Sequence, residues 1–528
     1  MSRPVLLGIC VFLATGSVAL IAWRGRVDRG DGIERLLHPD DSTPQLDRAA
    51  EASIAAFCGD CHALPRPESF PRDRWHAGVR KGYEFYTRSG RTDLEMPPIE
   101  QAVAWYRAQA PERVEFPKPP EAVTPLRVRF SVERLEWSDD PRLRPAVSAL
   151  RWATLEKNGP PALLVCDMRS GRVATVDLSS RNREIAVLAR LDFPCHAEPC
   201  DLDGDGRIDL VVADLGSFAA NDHDRGRVVW LRRGEGRTYT VEVLTARLGR
   251  VADARPADFD GDGDLDVIVA EFGHYRTGGI HLLRNTAPRG EAPRFNREPI
   301  DLRPGTIHVP VHDFDGDGRL DFAALLSQEY ECVDLFMNQE NGPFKLRGVW
   351  TAPDLAFGFS GMELVDFDQD GDIDILYTNG DVFDNQYATP WHGVGWLENR
   401  GELAFAHHRL TDLTGAYRAL AGDLDGDGDL DVVATTWLAR QIKPPELRQT
   451  PLASVVILEQ TAKGEFARHT LETGLAHHPA MELADFDGDG DLDFAVGSHA
   501  SLDAPDGPTG APLTVWWNEA TTAAESAP

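Results

Sequence analysis

The rhythm of apolar and polar positions changes twice along the chain. Val5–Trp23 runs nineteen residues without a charge, flanked by Arg3 and by Arg24, Arg26 and Arg29. Between residues 45 and 110 the apolar positions recur at helical spacing. Leu46, Ala49, Ala50, Ile54 and Phe57 form one stripe, and Ile99, Val103, Trp105 and Tyr106 form another. Pro111, Pro117, Pro119, Pro120 and Pro125 then crowd a short stretch that predicts a semi-rigid linker. From residue 126 onward the pattern is short apolar runs closed by Gly, Asp and Asn, such as Leu210–Ala213, Val228–Leu231, Val267–Ala270, Ile280–Leu283 and Val455–Leu458. These are strand signals.

The strand region is one unit used repeatedly. Six acidic nonapeptides begin at Asp201, Asp258, Asp313, Asp366, Asp423 and Asp485, with starts 57, 55, 53, 57 and 62 residues apart. Each has a strand before it and, in all but the last, three after it, and four-stranded units repeated radially are propeller blades. Ala146–Leu178 fits a seventh unit, with Thr154 and Ala162 where the first and ninth aspartates would stand, so this blade should bind no ion. Leu126–Trp137 resembles a fourth strand, and the last blade (about 477–519) lacks one; pairing the two would close the ring and hide its edges. Over residues 126–519 these repeats resemble the FG-GAP/VCBS family of seven-bladed propellers, found in integrin heads and many exported bacterial proteins.

The loops carry chemistry as well as fold. Carboxylates stand at positions 1, 3, 5 and 9: Asp201, Asp203, Asp205 and Asp209; Asp258, Asp260, Asp262 and Asp266; Asp313, Asp315, Asp317 and Asp321; Asp366, Asp368, Asp370 and Asp374; Asp423, Asp425, Asp427 and Asp431; Asp485, Asp487, Asp489 and Asp493. With a main-chain carbonyl at position 7 and Gly at position 6 for the turn, each loop predicts an oxygen cage for Ca²⁺, up to six ions in all. Asp264, Asp372, Asp429 and Asp491 add four more charges. Without the loop acids the net charge would fall from −31 to about −3, so the acidity belongs to the loops rather than to a surface for basic partners. Nucleic acid is excluded as a partner, since phosphate contacts need clustered Lys and Arg. Gln369 replaces a Gly at a non-ligand position, and that site should survive.

Residues 58–62 read Cys-Gly-Asp-Cys-His, the attachment motif of a c-type haem: two thiols one helical turn apart for thioethers, and an imidazole for the iron. With the helix before it, Met96-Pro97 after it and a closing helix, residues 45–112 resemble a small class I cytochrome c. That resemblance implies one covalent haem c on Cys58 and Cys61, with His62 as proximal and Met96 as distal ligand; His76 is a competitor for the distal place. Val5–Trp23 is either an uncleaved anchor or a signal peptide cut after Ala19. Both put the rest of the chain outside the cytoplasm, and the anchor would tether it to a membrane.

The expected fold is therefore mainly β: a seven-bladed β-propeller (126–519) of four-stranded blades, preceded by a small all-α cytochrome c-like domain (45–112) and an N-terminal membrane anchor or signal segment (1–24). Linkers are expected at 25–44 and 113–125, the second separating the haem unit from the propeller, and a tail at 520–528. Cys195 and Cys200, five residues apart on one strand, are too far apart to pair with each other, while Cys166 could pair with either. Eight of thirteen propeller histidines fall in or beside connections on the face opposite the Asp loops: His196, His223, His274, His308, His392, His477, His478 and His499. His196, Asp253, His308, His392 and Arg418 form the candidate pocket there. The leading functional expectation is haem electron transfer, with a substrate or redox partner captured on that face. The alternatives are a binding or adhesion scaffold, and an oxidoreductase whose catalytic site lies among those histidines.

Overall fold

The computed structural model describes residues 46–519 apart from 138–142, 181–182, 237, 289, 383–385, 440, 475 and 501–510. The expected anchor or signal segment, the first linker and the C-terminal tail lie outside the described residues. Among the described residues no helix is long and apolar enough to cross a membrane.

Among the described residues three α-helices precede the propeller. Helix α1 (Arg48–Cys58) starts at Asp47, whose carboxylate accepts from the Ala50 N–H at 2.8 Å, and ends at the first cysteine of the motif. Helix α2 (Trp75–Ser89), which the apolar pattern did not show, stops at Gly90 in the left-handed region, φ 74°. Helix α3 (Ile99–Gln109) follows Pro97-Pro98. Their shared core is small: Ile54, Trp75, Val79, Ala102, Tyr106 and Ala110, with Trp75 stacked on Tyr106 at 4.1 Å.

Seven antiparallel sheets follow. In blade 2, for example, the strands run Pro194–Cys200, Asp209–Asp214, Gly226–Arg233 and Tyr239–Leu248 from axis to rim. Blade 1 is the degenerate unit, Val147–Thr154 to Ala186–Arg190. Blade 7 is completed by Phe130–Leu135, which pairs antiparallel with Leu513–Asn518, so the first strand of the chain closes the ring on the last. In blade 4 the inner strand breaks at Val309-Pro310 into Thr306–His308 and Val311–His312, both paired with Asp321–Leu326, because Pro310 has no N–H to give the ladder.

The continuous apolar runs follow from this geometry. Successive side chains leave a strand on opposite faces. Leu210 and Val212 therefore pack towards blade 1, and Val211 and Ala213 towards blade 3. Each sheet is covered on both faces, and every pair of neighbouring blades shares one apolar cluster, including blades 7 and 1.

The proline-rich stretch does not hold the helical unit apart. Phe116 packs with Val382, Ile442 and Leu447, the Ala122 N–H donates to Arg468 O at 2.8 Å, and Glu121 binds Arg468 and Thr470. The helices themselves sit on the face opposite the Asp loops. The Ser69 hydroxyl donates to buried Asp354 and accepts from Trp391 Nε1 at 2.8 Å. Phe70 meets Tyr387 edge-on, and Lys81 Nζ donates to the Tyr275 hydroxyl at 2.8 Å. Prolines pre-extended along an apolar surface cost little entropy to order, which is why a sequence with linker composition becomes a strap.

Ring closure gives a direct test. A chain lacking residues 126–137 leaves Leu513–Asn518 as an open edge. It should melt at a lower temperature than the full chain and form oligomers on size exclusion. A monomer with an unchanged melting temperature contradicts closure by this strand.

Candidate functional site

The six Asp loops repeat one hydrogen-bond pattern. The first aspartate accepts from the N–H at position 6, as in Gly206 to Asp201 at 2.9 Å, Gly318 to Asp313 at 2.9 Å and Gly490 to Asp485 at 3.1 Å. The ninth aspartate is buried and works in two directions. Asp321 accepts from the Phe314 N–H at 3.0 Å inside its own loop, and from the Asn338 N–H at 2.6 Å at the end of the third strand. The pairs Arg233 to Asp209, Asn285 to Asp266, Asn399 to Asp374, Gln460 to Asp431 and Asn518 to Asp493 repeat the second contact. Reading the ninth carboxylate as a cation ligand alone misses this fastening role. Gln369 adopts φ 59° in place of glycine, and its amide donates to Gly428 O at 2.9 Å in the next blade's loop.

These loops fit a hard divalent cation. In the first, carboxylate oxygens of Asp201, Asp203 and Asp205 lie within 4.8 Å of one another, and Asp313, Asp315 and Asp321 form a similar group. Asp201 Oδ1 and Asp368 Oδ1 are buried with no hydrogen-bond partner among the described residues. Burial pushes the Asp266 and Asp374 carboxyls up to about 6, and those of Asp431 and Asp493 up to about 7.

Four of the five candidate pocket residues meet in the axial channel. His196 Nε2 lies 3.4 Å from Asp253, and His308 Nδ1 lies 3.8 Å from the same carboxylate. Arg418 lines the channel from blade 6 and donates to Met362 O at 2.7 Å. His392 stands apart, fully buried in blade 5, its Nδ1 accepting from the Gly415 N–H at 3.2 Å. Burial and the Arg409 charge hold that imidazole down to about 3. The channel residues that sequence reasoning missed stand two positions further along the inner strands: Arg151, Glu198, Arg255, Glu363 and Glu482. The signal was present, since polar residues recur three as well as five positions before the loop, on the same side of a strand. The groups satisfy one another. Arg255 binds both Asp253 and Glu198, and His196 Nε2 lies 2.8 Å from Glu198. Burial would raise the Asp253 carboxyl, but Arg255 and His196 outweigh it and hold it well below the usual carboxylate range. Glu363 lacks such a surplus, and burial pushes it up to about 7 despite Arg418.

At the other candidate site, Cys58 and Cys61 are free thiols, one closing α1 and the other exposed in the turn after it. His62 Nδ1 lies 2.8 Å from Ala63 O; with the proton there, Nε2 keeps its lone pair for a metal. Met96 is 49% exposed, unusual for so large an apolar side chain. His76 points outward and accepts from Arg80 at 3.0 Å. This donor set fits a haem. Cys166, Cys195, Cys200 and Cys332 are also free, so the possible bridge from Cys166 is not formed; the Cys195 thiol donates to Val251 O at 3.1 Å instead.

The FG-GAP-like repeat family matches residues 201–269 and 313–377. The propeller carries FG-GAP-like repeats. Cartilage acidic protein 1 of Homo sapiens is 22% identical over 379 residues, covering 66% of this chain and 54% of that protein. Its Mus musculus counterpart is 22% identical over 378 residues, with 66% and 55% covered. The chain thus spans about half the length of the curated relatives it matches. Among solved structures, an ancestral GH74 enzyme aligns with TM-score 0.41 at 9% identity, covering 70% of this chain and 48% of that one. An α-L-arabinofuranosidase from Fusarium graminearum aligns at 0.35 and 10%, covering 61% and 92%. Both likenesses are too loose to carry a function.

The FG-GAP-like loops should take up Ca²⁺ in competition with protons. Four of the ninth-position carboxyls, Asp266, Asp374, Asp431 and Asp493, held at about 6 to about 7, are largely protonated at mildly acid pH and must ionise to bind a cation. Occupancy stabilises by about 2.7 kcal/mol per site at a hundredfold excess over Kd. The rise in melting temperature caused by millimolar Ca²⁺ should therefore be large at pH 7.5 and much smaller at pH 5.5. An equal rise at both values contradicts the assignment.

Proposed function

We propose that this chain is an extracytoplasmic binding scaffold: a Ca²⁺-braced propeller that presents one face to a partner and carries a helical unit on that same face. The observation behind this reading is the state of the axial channel. Its acids and bases, Glu198, Asp253, Arg255 and His196, are bound to one another. Such a network rigidifies a ring of blades, and a carboxylate held as low as that of Asp253 is a poor base for turnover. The loops on the opposite side brace the turns, and Ca²⁺ sites of this kind suit the millimolar ion outside the cytoplasm.

A second reading, haem electron transfer, is favoured by the helical unit. A haem held there would supply reversible one-electron transfer. Cys58 and Cys61 would anchor it, and His62 Nε2 and the exposed Met96 thioether would be its candidate ligands, a thioether favouring the reduced iron. Arg91, whose guanidinium reaches Cys61 Sγ at 3.0 Å, Asp60 at 2.7 Å and Asp93 at 2.6 Å, would hold the turn that carries the motif. The aromatic strip Phe57, Tyr83 and Tyr86 would wall the site from water.

Two measurements separate the readings. The first is haem staining on a denaturing gel, after expression with a c-type maturation system. Colour that survives denaturation in the full chain and vanishes in Cys58→Ser/Cys61→Ser is expected of the second reading, and a colourless full chain removes it. The second is crosslinking in the producing cells. The scaffold reading expects the same discrete crosslinked product from the full chain and from the Cys58→Ser/Cys61→Ser variant, with loss of that product when Asp431 and Asp493 are both changed to Asn. A product that depends on the cysteines and not on the loops overturns it.

A further inference from the structure

A separate cluster lies where blade 6 meets blade 7, on the face opposite the Asp loops. Glu472 ends the outer strand of blade 6 (Glu465–Gly474), and His477 and His478 lie in the connection that leads to Ala480–Ala484 of blade 7. One nitrogen of each imidazole and one oxygen of Glu472 lie within 4.8 Å of one another. The backbone fixes the pair: the His478 N–H donates to Thr436 O at 2.8 Å, and His477 O accepts from the His499 N–H at 2.8 Å. His478 is 1% exposed, with Nε2 2.9 Å from Glu472 Oε1. The Nδ1 atoms of both histidines are buried with no hydrogen-bond partner among the described residues. The three side chains line a cavity of about 360 Å³ that also includes Arg134, Glu136 and Thr514.

We propose that Glu472, His477 and His478 form a binding site for a divalent transition-metal ion of the zinc class, distinct from the aspartate loops. Two imidazoles and one carboxylate are the borderline donors such an ion selects, whereas Ca²⁺ prefers an all-oxygen cage. Buried imidazole nitrogens without partners are what metal ligation satisfies, and a chain holding two of them side by side by backbone bonds is preorganised for it. Three protein ligands beside a cavity leave a coordination position for water or for a donor from a bound molecule. The second carboxylate, Glu136, keeps the pocket net acidic beside the single Arg134, which suits a dication.

The test uses the full chain, stripped with chelator, saturated with Ca²⁺ so that the aspartate loops are occupied, and titrated with Co²⁺ and then Zn²⁺. The expected result is one equivalent of Co²⁺, displaced by Zn²⁺, with a visible spectrum lacking a thiolate-to-metal charge-transfer band. Zn²⁺ affinity should fall at least tenfold in Glu472→Gln and at least a hundredfold in His477→Ala/His478→Ala, on the order of the losses seen when metal sites are disturbed. Glu472→Gln preserves shape, so it reports on ligation even where the double variant folds poorly. Equal Zn²⁺ uptake by the full chain and Glu472→Gln overturns the proposal. So does a thiolate band, which would place the ion at Cys58 and Cys61.

Discussion

The constraint on which this molecule turns is the crowding of carboxylates at the first turn of six of the seven blades. Four aspartates within nine residues repel one another, and the ninth is buried besides. The fold tolerates this because the buried carboxylate is held by two donors, one N–H from its own loop and one from the end of the third strand. The loop, the inner strand and the third strand are thereby tied at one point, six times around the ring. The same arrangement leaves oxygens such as Asp201 Oδ1 buried without a donor among the described residues. The loops are fastened by hydrogen bonds, and a dication bound among their carboxylates would offset the repulsion that remains.

Sequence reveals this architecture to the extent that it repeats. The Asp pattern recurs at nearly constant intervals, and the strands between, buried on both faces, read as unbroken apolar runs. The degenerate blade 1 and the closing strand Phe130–Leu135 are legible because counting blades leaves a gap for each. Features that occur once are harder. Helix α2 carries Trp75 and Val79 on its buried side, but Gly78 between them and Arg80, Lys81 and Gly82 after them blur the stripe. The proline-rich stretch has the composition of a linker, and only tertiary contacts made by Phe116, Glu121 and Ala122 show that it is tied down. The axial charges are half visible. The polar residues five positions before four of the loops stand out, whereas those three positions before do not, and these supply Arg255 and Glu198, which pair with Asp253 and His196. His392 shows the opposite error, a histidine in a suggestive loop that is buried and bonded to Gly415.

Docking of the helical unit changes what the face opposite the Asp loops can do. Ser69, Phe70 and Lys81 cover connections of blades 3 to 5, so part of the surface expected to face a partner is filled by the chain itself. The Cys-x-x-Cys-His motif is brought beside the propeller rather than held away on a tether. Any partner recognised on this face would meet both units at once. The sector near blades 6 and 7, where Glu472, His477 and His478 stand, lies away from those docking contacts. Rigid blades, paired axial charges around Asp253 and a composite face would suit a platform, whose chemistry would then depend on what the helical unit and that sector hold.

The most direct measurement of the account is a crystal structure of the full chain grown with millimolar Ca²⁺, with metals assigned by anomalous scattering. The account predicts six ions, one in each loop from Asp201 to Asp493, each within about 2.3–2.6 Å of carboxylate oxygens, with none at the degenerate blade 1. Empty loops at that concentration, or ions bound elsewhere while the ninth aspartates keep only their N–H partners, would contradict it.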